Sequence, residues 1–388
     1  MRTLALACVA SLISAPQTSG EPGGRVISLD VSTGITGERR SGEGDAGATL
    51  DLSGLLSTAT PSSGVTLTLG GRIESKNSDY GLPDTTASLS AFIARPRTRL
   101  EFGAYAGRED ISLLEVQPLD VDRVARNDET RRELGALLSL SVEGARPLKA
   151  QVGAHRVDWS NESGVGDRTE NGFSVDLNLG LGAAWFGIAE FTSETTTSGP
   201  ETNTSNRLTF GLRRDLPLGT SFANAVLEGN GQGDRTGFEL GSERRLSERT
   251  SIVLEAGALR IDDRYVPTGK VAWRSEIVPN TWAELGLARA VRDDAQTGPQ
   301  NVTAVDLRMR RKLGPLTEAL VGLSFGRADP LDSGIDRAEA RVVFGGEHAL
   351  TRDISVNVGI GLGLLEAEGT SKNAEFEVNL VRAFRTKY

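Results

Sequence analysis

Cysteine is almost missing from this chain. The single one, Cys8, sits near the start of 388 residues. Nothing after it can close a disulfide or build a thiolate metal site. Histidine is nearly as scarce, with only His155 and His348, and aromatics reach just 5%. No segment offers the run of about 18 apolar residues that a membrane helix needs. Helical membrane proteins are therefore excluded, while other membrane proteins stay open. Basic residues are outnumbered, 43 Lys and Arg against 52 Asp and Glu, for a net charge of −9. That is a poor start for nucleic-acid binding, which draws affinity from neutralising phosphates. A domain boundary is missing too. The length alone would suggest two or more domains, yet there is no Pro/Ser linker, charge block or shift in composition. One large repetitive architecture fits better.

What is present begins with an address. MRTLALACVASLISAPQTSG, residues 1–20, has a basic start at Arg2, a short apolar core from Leu4 to Ile13 and small residues after it. This reads as a secretory signal, leaving residues 21–388 as the working chain. From there apolar residues take every second place, which is strand period rather than helix period. Ile27, Leu29, Val31 and Ile35 show it first, and Leu134, Leu138, Leu140 and Val142 repeat it. Ile354, Val356, Val358, Ile360, Leu362 and Leu364 form the longest case.

The alternating segments pair up through short stretches of turn chemistry: 59–64, 94–98, 144–147, 216–220, 246–250, 277–281, 312–315 and 349–353, with a weaker one near Gly182. Longer polar segments lie between the pairs, among them 38–46, 75–86, 107–131, 159–170, 193–206, 229–235, 261–266, 291–301, 327–336 and 366–372. One edge should carry short turns and the other longer loops. Nine hairpins with a first strand at 25–37 and a last at 372–386 give about 18–20 strands, on the boundary error usual for such readings.

The second face of these segments is polar. Arg308 and Arg310 alternate with Leu307 and Met309. Arg337, Glu339 and Arg341 alternate with Ala338, Ala340 and Val342. Glu375 and Glu377 alternate with Phe376 and Val378. Strands of 9–11 residues cross a bilayer when tilted, and in lipid the sheet must close on itself. The expected fold is therefore all-β, a transmembrane antiparallel up-and-down barrel with short periplasmic turns and longer outer loops. In this pattern residues 25–388 resemble bacterial outer-membrane β-barrel proteins of the porin-like type. The resemblance implies location in the bacterial outer membrane, contact with its lipid, and delivery by barrel-assembly machinery, for which the aromatic end at Tyr388 is similar to the family's signal. Tyr80, Trp159, Tyr265, Trp282 and Phe384 are candidates for thin interfacial aromatic girdles.

Catalysis and metals have little support. His155 lies near Asp158 and Ser160, but a lone strand histidine is more often a lumen-facing polar residue. Asp329, Asp332 and Asp336 share a loop, where solvated charge is the commoner outcome than a Ca²⁺ site. Segment 107–131 contrasts with the other loops because it holds Ile111, Leu113, Leu114, Val116 and Leu119. In porin-like barrels the third outer loop narrows the lumen. The resemblance thus implies that Glu109, Asp110, Glu115, Asp120 and Asp122 face basic wall residues and set selectivity; a lid or rim helix outside the pore is the even alternative. The expected function is a pore for passive diffusion of small hydrophilic solutes, without enzyme activity, cofactor or nucleic-acid partner. An export barrel of an exopolysaccharide pathway, a plugged structural or adhesive barrel, and an outer-membrane hydrolase are the alternatives. The oligomeric state stays open, a homo-oligomer included.

Overall fold

Alternation over a dozen residues demands a partner for each backbone edge, and across the membrane span each long strand has one on both sides. A computed structural model describes residues 25–387 apart from 41–42, 77–78, 83, 111–128, 162–166, 231–232, 262, 295–297, 332–335, 352 and 367–369. The strands are β1 (Arg25–Arg40), β2 (Glu43–Ala59), β3 (Ser63–Lys76), β4 (Asp79–Gly81), β5 (Thr85–Arg95), β6 (Thr98–Asp110) and β7 (Glu129–Val142). Next come β8 (Leu148–Asn161), β9 (Arg168–Gly180), β10 (Trp185–Ser198), β11 (Glu201–Leu216), β12 (Gly219–Asn230), β13 (Gly233–Ser247) and β14 (Thr250–Ile261). The chain ends with β15 (Arg264–Val278), β16 (Thr281–Asp294), β17 (Gly298–Lys312), β18 (Thr317–Pro330), β19 (Arg337–Ala349), β20 (Ile354–Glu366) and β21 (Thr370–Lys387). Short β4 pairs only with β3. The other twenty pair antiparallel with their sequence neighbours, and β1 pairs with β21 from Val26↔Lys387 to Arg40↔Asn373. The sheet is a closed up-and-down barrel.

Every expected short turn falls between two strands. Several of the outer segments do not become loops. Residues 193–206 are the end of β10 and the start of β11, joined at 199–200, and 261–266 is likewise almost all strand. Threonine explains the first case. It is β-branched and strand-prone, and Thr195·Thr204 and Thr197·Thr202 form hydroxyl rungs at 3.1 and 3.3 Å. Beyond the bilayer both faces are wet, so the alternation that marks a strand fades while the strand continues.

Register sorts the side chains. Ile27 lies opposite Leu56, Leu56 opposite Leu67 and Leu67 opposite Leu89, and this row runs on around the barrel. Its members are exposed, for example Leu56, Leu69, Phe102, Leu138, Phe238 and Ile360. A closed barrel wearing such an apolar belt is a membrane-spanning surface. Tyr265 and Phe384 stand on this outer face. Trp159 and Trp282 do not, because their register partners Arg131 and Arg310 belong to the inner rows. Two girdle candidates are thereby corrected: each tryptophan instead stacks with arginine inside the wall, Trp159 with Arg131 and Arg168 and Trp282 with Arg274.

The inner face is concave, so its side chains crowd. Glycine relieves the crowding in a repeated way. Tyr105 lies opposite Gly135, His155 opposite Gly172, Phe222 opposite Gly241 and Phe92 opposite Gly64. In each case a Cβ on the glycine would collide with the facing ring. The ring occupies the space over the glycine of the next strand and shields its bare backbone. Gly241→Val should therefore lower stability by about 1–3 kcal/mol through overpacking against Phe222. Urea unfolding of the refolded barrel in vesicles measures this, and an unchanged midpoint would show that the ring moves aside freely.

Candidate functional site: the charged inner wall

Most inner-wall charges are matched across strands. At the closing seam Arg72 of β3 donates from Nε to Asp51 of β2 at 2.6 Å and reaches Glu377 of β21 from Nη2 at 3.0 Å. Asn379 of β21, which donates to the same Glu377, fills the space over Gly34 of β1, where any Cβ would strike it. A cavity of about 260 Å³ beside it is lined by Asp30, Asp51, Arg72 and Asp84. On β11–β13, Arg207 lies opposite Glu228 and Glu228 opposite Arg235. Glu228 accepts from Arg235 at 3.0 Å, and Arg207 also donates to Glu239 at 2.5 Å. On β6–β7, Glu133 accepts from Tyr105 at 2.7 Å and from Arg131 at 2.7 Å.

The sequence-derived lumen residues divide into two groups. Arg308, Arg310, Arg337, Glu339, Arg341, Glu375 and Glu377 all stand on inner-face register positions. Arg310 pairs with Glu318 at 3.4 Å, and Arg308 lies opposite Glu284 and two residues from Asp306. Arg341 donates to Glu339 at 2.9 Å, with both side chains almost fully buried, at 6% and 1% exposure. Glu115, Asp120 and Asp122 lie outside the described residues. Glu109 and Asp110 end β6, and their side chains lie outside the description too. Asp332 also falls outside, while Arg327 engages both Asp329 and Asp336, at 2.5 and 3.0 Å. His155 faces the lumen, its Nε2 3.5 Å from Glu170. Asp158 lies on the opposite face, held by Arg156 and Thr169, so no His–Asp pair forms.

Two features were not foreseen. The first is a row of like charge. Asp176 of β9 and Glu190 of β10 are directly opposite on the inner face, and neither makes an ion pair among the described residues. Such a juxtaposition is destabilising. The second is a lip. Pairing of β15 with β16 stops at Gly269↔Arg289, although β15 begins at Arg264 and β16 runs on to Asp294. Beyond that point Val291, which has the parity of the lipid-facing row, packs with Val226, Leu259 and Val266 of the inner wall, joined by Leu331. The outer end of β16–β18 has therefore peeled off β15 and folded into the barrel mouth. Its other face, Val302, Ala304 and Ala328, is buried as well. The valines and alanines inside an otherwise polar lumen are the trace of this lip in the sequence.

The wall can be set beside known proteins. No family model matches the chain, and no curated protein matches it. Solved structures do. A mutant of the ferric enterobactin receptor PfeA of Pseudomonas aeruginosa aligns over 94% of this chain and 81% of its own, at 9% identity and a TM-score of 0.51. The ferric-catecholate import receptor Fiu of E. coli K12 aligns over 94% and 82%, at 8% identity and a TM-score of 0.50. The fold is that of an outer-membrane β-barrel. OpdL of Pseudomonas aeruginosa covers 93% of this chain and 99% of its own at 12% identity, with a TM-score of 0.48. At such identities the likeness reaches the architecture alone. It agrees with the apolar belt, which places this β-barrel in a membrane, and the barrels of like fold are those of the bacterial outer membrane.

Burial decides how much each charged contact contributes to this outer-membrane β-barrel. Arg341→Met should cost about 2–3 kcal/mol, because it removes a charged hydrogen bond from a carboxylate without water. Arg310→Met, which breaks a half-exposed pair, should cost at most about 1 kcal/mol. Unfolding of the two variants in vesicles compares them; equal losses would contradict the ranking.

Proposed function

We propose that the chain is a channel for passive diffusion of small hydrophilic solutes through the outer membrane. The observation behind this is the inner wall. Across the membrane span it presents carboxylates, guanidiniums, amides and hydroxyls of both charge signs, anchored to one another. A barrel of about 16–18 strands or more encloses an aqueous passage unless something plugs it, and the described residues are all wall strands and the turns that join them. Paired charges suit a wet passage, since they bind water and small polar solutes without trapping a single ion. Diffusion of this kind requires no cofactor and no bond chemistry. The lip of β16–β18 supplies a constriction at the outer mouth, and the Asp176·Glu190 pair, only partly offset by Lys149 on β8, gives the lower wall an acidic spot.

Planar-bilayer recording of the refolded protein tests the reading. Stepwise current is expected, and its absence across repeated insertions would reject an open pore. Val291→Asp tests the constriction. A carboxylate in the Val226–Leu259–Val266 cluster should detach the lip and enlarge the single-channel step. Steps of unchanged size would show that the lip does not limit the passage.

A further inference from the structure

On the outer face of the short-turn rim, Arg214 and Arg244 flank Ser221 and Ser242. Arg214 of β11 is opposite Ser221 of β12, and Ser221 is opposite Ser242 of β13. Arg244, two residues along β13 on the same face, donates from Nη2 to Ser221 Oγ at 3.3 Å. The two serine hydroxyls are 3.2 Å apart. Arg214 stacks on the exposed ring of Trp185, its register partner in β10. Just above, on the same lipid-facing rows, stand Leu212, Leu240 and Leu254, all exposed.

The carboxylates nearby cannot serve this cluster. Asp215 and Glu243 alternate to the inner face, where Asp215 accepts from Arg213 at 2.9 Å. Among the described residues neither Arg214 nor Arg244 makes an ion pair, in contrast with the inner-wall arginines at the same level, Arg213 and Arg274. The Ser242 hydroxyl donates to the Thr220 carbonyl at 3.1 Å, so two guanidiniums and the Ser221 hydroxyl remain as donors at the lower edge of an apolar belt, a donor-rich cluster without an anion. Forked guanidiniums suit phosphate oxygens. Basic groups at a membrane surface attract anionic lipid, and a rim tryptophan sits at headgroup depth.

We propose that Arg214, Ser221 and Arg244 bind the phosphate of an anionic phospholipid in the leaflet at the short-turn rim. Its acyl chains would lie along Leu212, Leu240 and Leu254. A lipid rather than free phosphate is the occupant because the donors open onto the belt and not onto the lumen. Solvated arginines snorkelling singly from the belt are the plain alternative; the bond from Arg244 to Ser221 and the stacking of Arg214 on Trp185 hold both guanidiniums beside the serine pair and argue against it.

Native mass spectrometry of the refolded barrel, given equal amounts of phosphatidylglycerol and phosphatidylcholine, tests this. The wild type should retain phosphatidylglycerol preferentially. R214Q/R244Q, checked by its heat-shifted gel band, should lose that preference, and Ser221→Ala should weaken it. Equal retention of both lipids by the wild type would overturn the proposal, as would a preference that survives in R214Q/R244Q. Binding of inorganic phosphate without a lipid preference would overturn the lipid assignment as well. Where the double variant does not fold, Ser221→Ala decides: a reduced preference supports the site and an unchanged one removes it.

Discussion

Every other feature depends on the pairing of the first strand with the last. Inside a bilayer an unpaired backbone amide or carbonyl costs several kcal/mol. A sheet with two free edges would therefore not persist there. β1 and β21 remove both edges by pairing along nearly their whole length. Once the sheet closes, one face must meet lipid and the other must meet its own far wall. The chemistry of each residue then follows from its parity. The side chains reinforce the seam. Arg72, Asp51 and Glu377 tie together strands from opposite ends of the chain, and Gly34 leaves the room for Asn379, which donates to Glu377.

Closure also explains the inner wall. Concavity brings facing side chains together, so large residues need small partners, and glycines under Tyr105, His155, Phe222 and Phe92 provide them. Charges crowd as well, and opposite signs in register keep the crowding favourable, as in Arg207–Glu228–Arg235. Against this background Asp176 facing Glu190 is an exception, because repulsion is built in at a place where most neighbours are matched. Lys149 on β8 offsets only part of that repulsion.

The sequence carried the architecture well and the site only partly. Alternation and turn chemistry located all nine short turns, since strand period and Gly/Pro signals coincide where one face meets lipid. The outer ends were harder. Thr195, Thr197, Thr202 and Thr204 look like loop by polarity but are strand by branching and by their hydroxyl rungs. Trp159 and Trp282 were placed at the lipid interface on residue type, whereas register turns both inward. The inner charges near Arg308 and Arg341 were legible because parity alone assigns them a face. Which of them pair, and how deeply they are buried, depends on strands far apart in sequence.

The lip shows why such a feature escapes a linear reading. Val291 continues the lipid-facing parity of Leu285 and Leu287, so sequence alone assigns it to lipid. Only the loss of pairing beyond Gly269↔Arg289 reverses that assignment. When β16 leaves, the outer end of β15 becomes an edge, a liability that strands usually blunt. Pro267 lies on this very stretch, where a residue without an N–H to donate costs least. On the departing side, the Leu331 amide donates to Pro299 at 2.9 Å and holds the tips of β17 and β18 together as they turn inward. The apolar wall residues Val226, Leu259 and Val266 then have an occupant for a surface that would otherwise face water. Peeling, proline and buried valine are thus one arrangement: the barrel gives up a few ladder bonds above the bilayer, where water can replace them, and gains an apolar contact with its own inner wall.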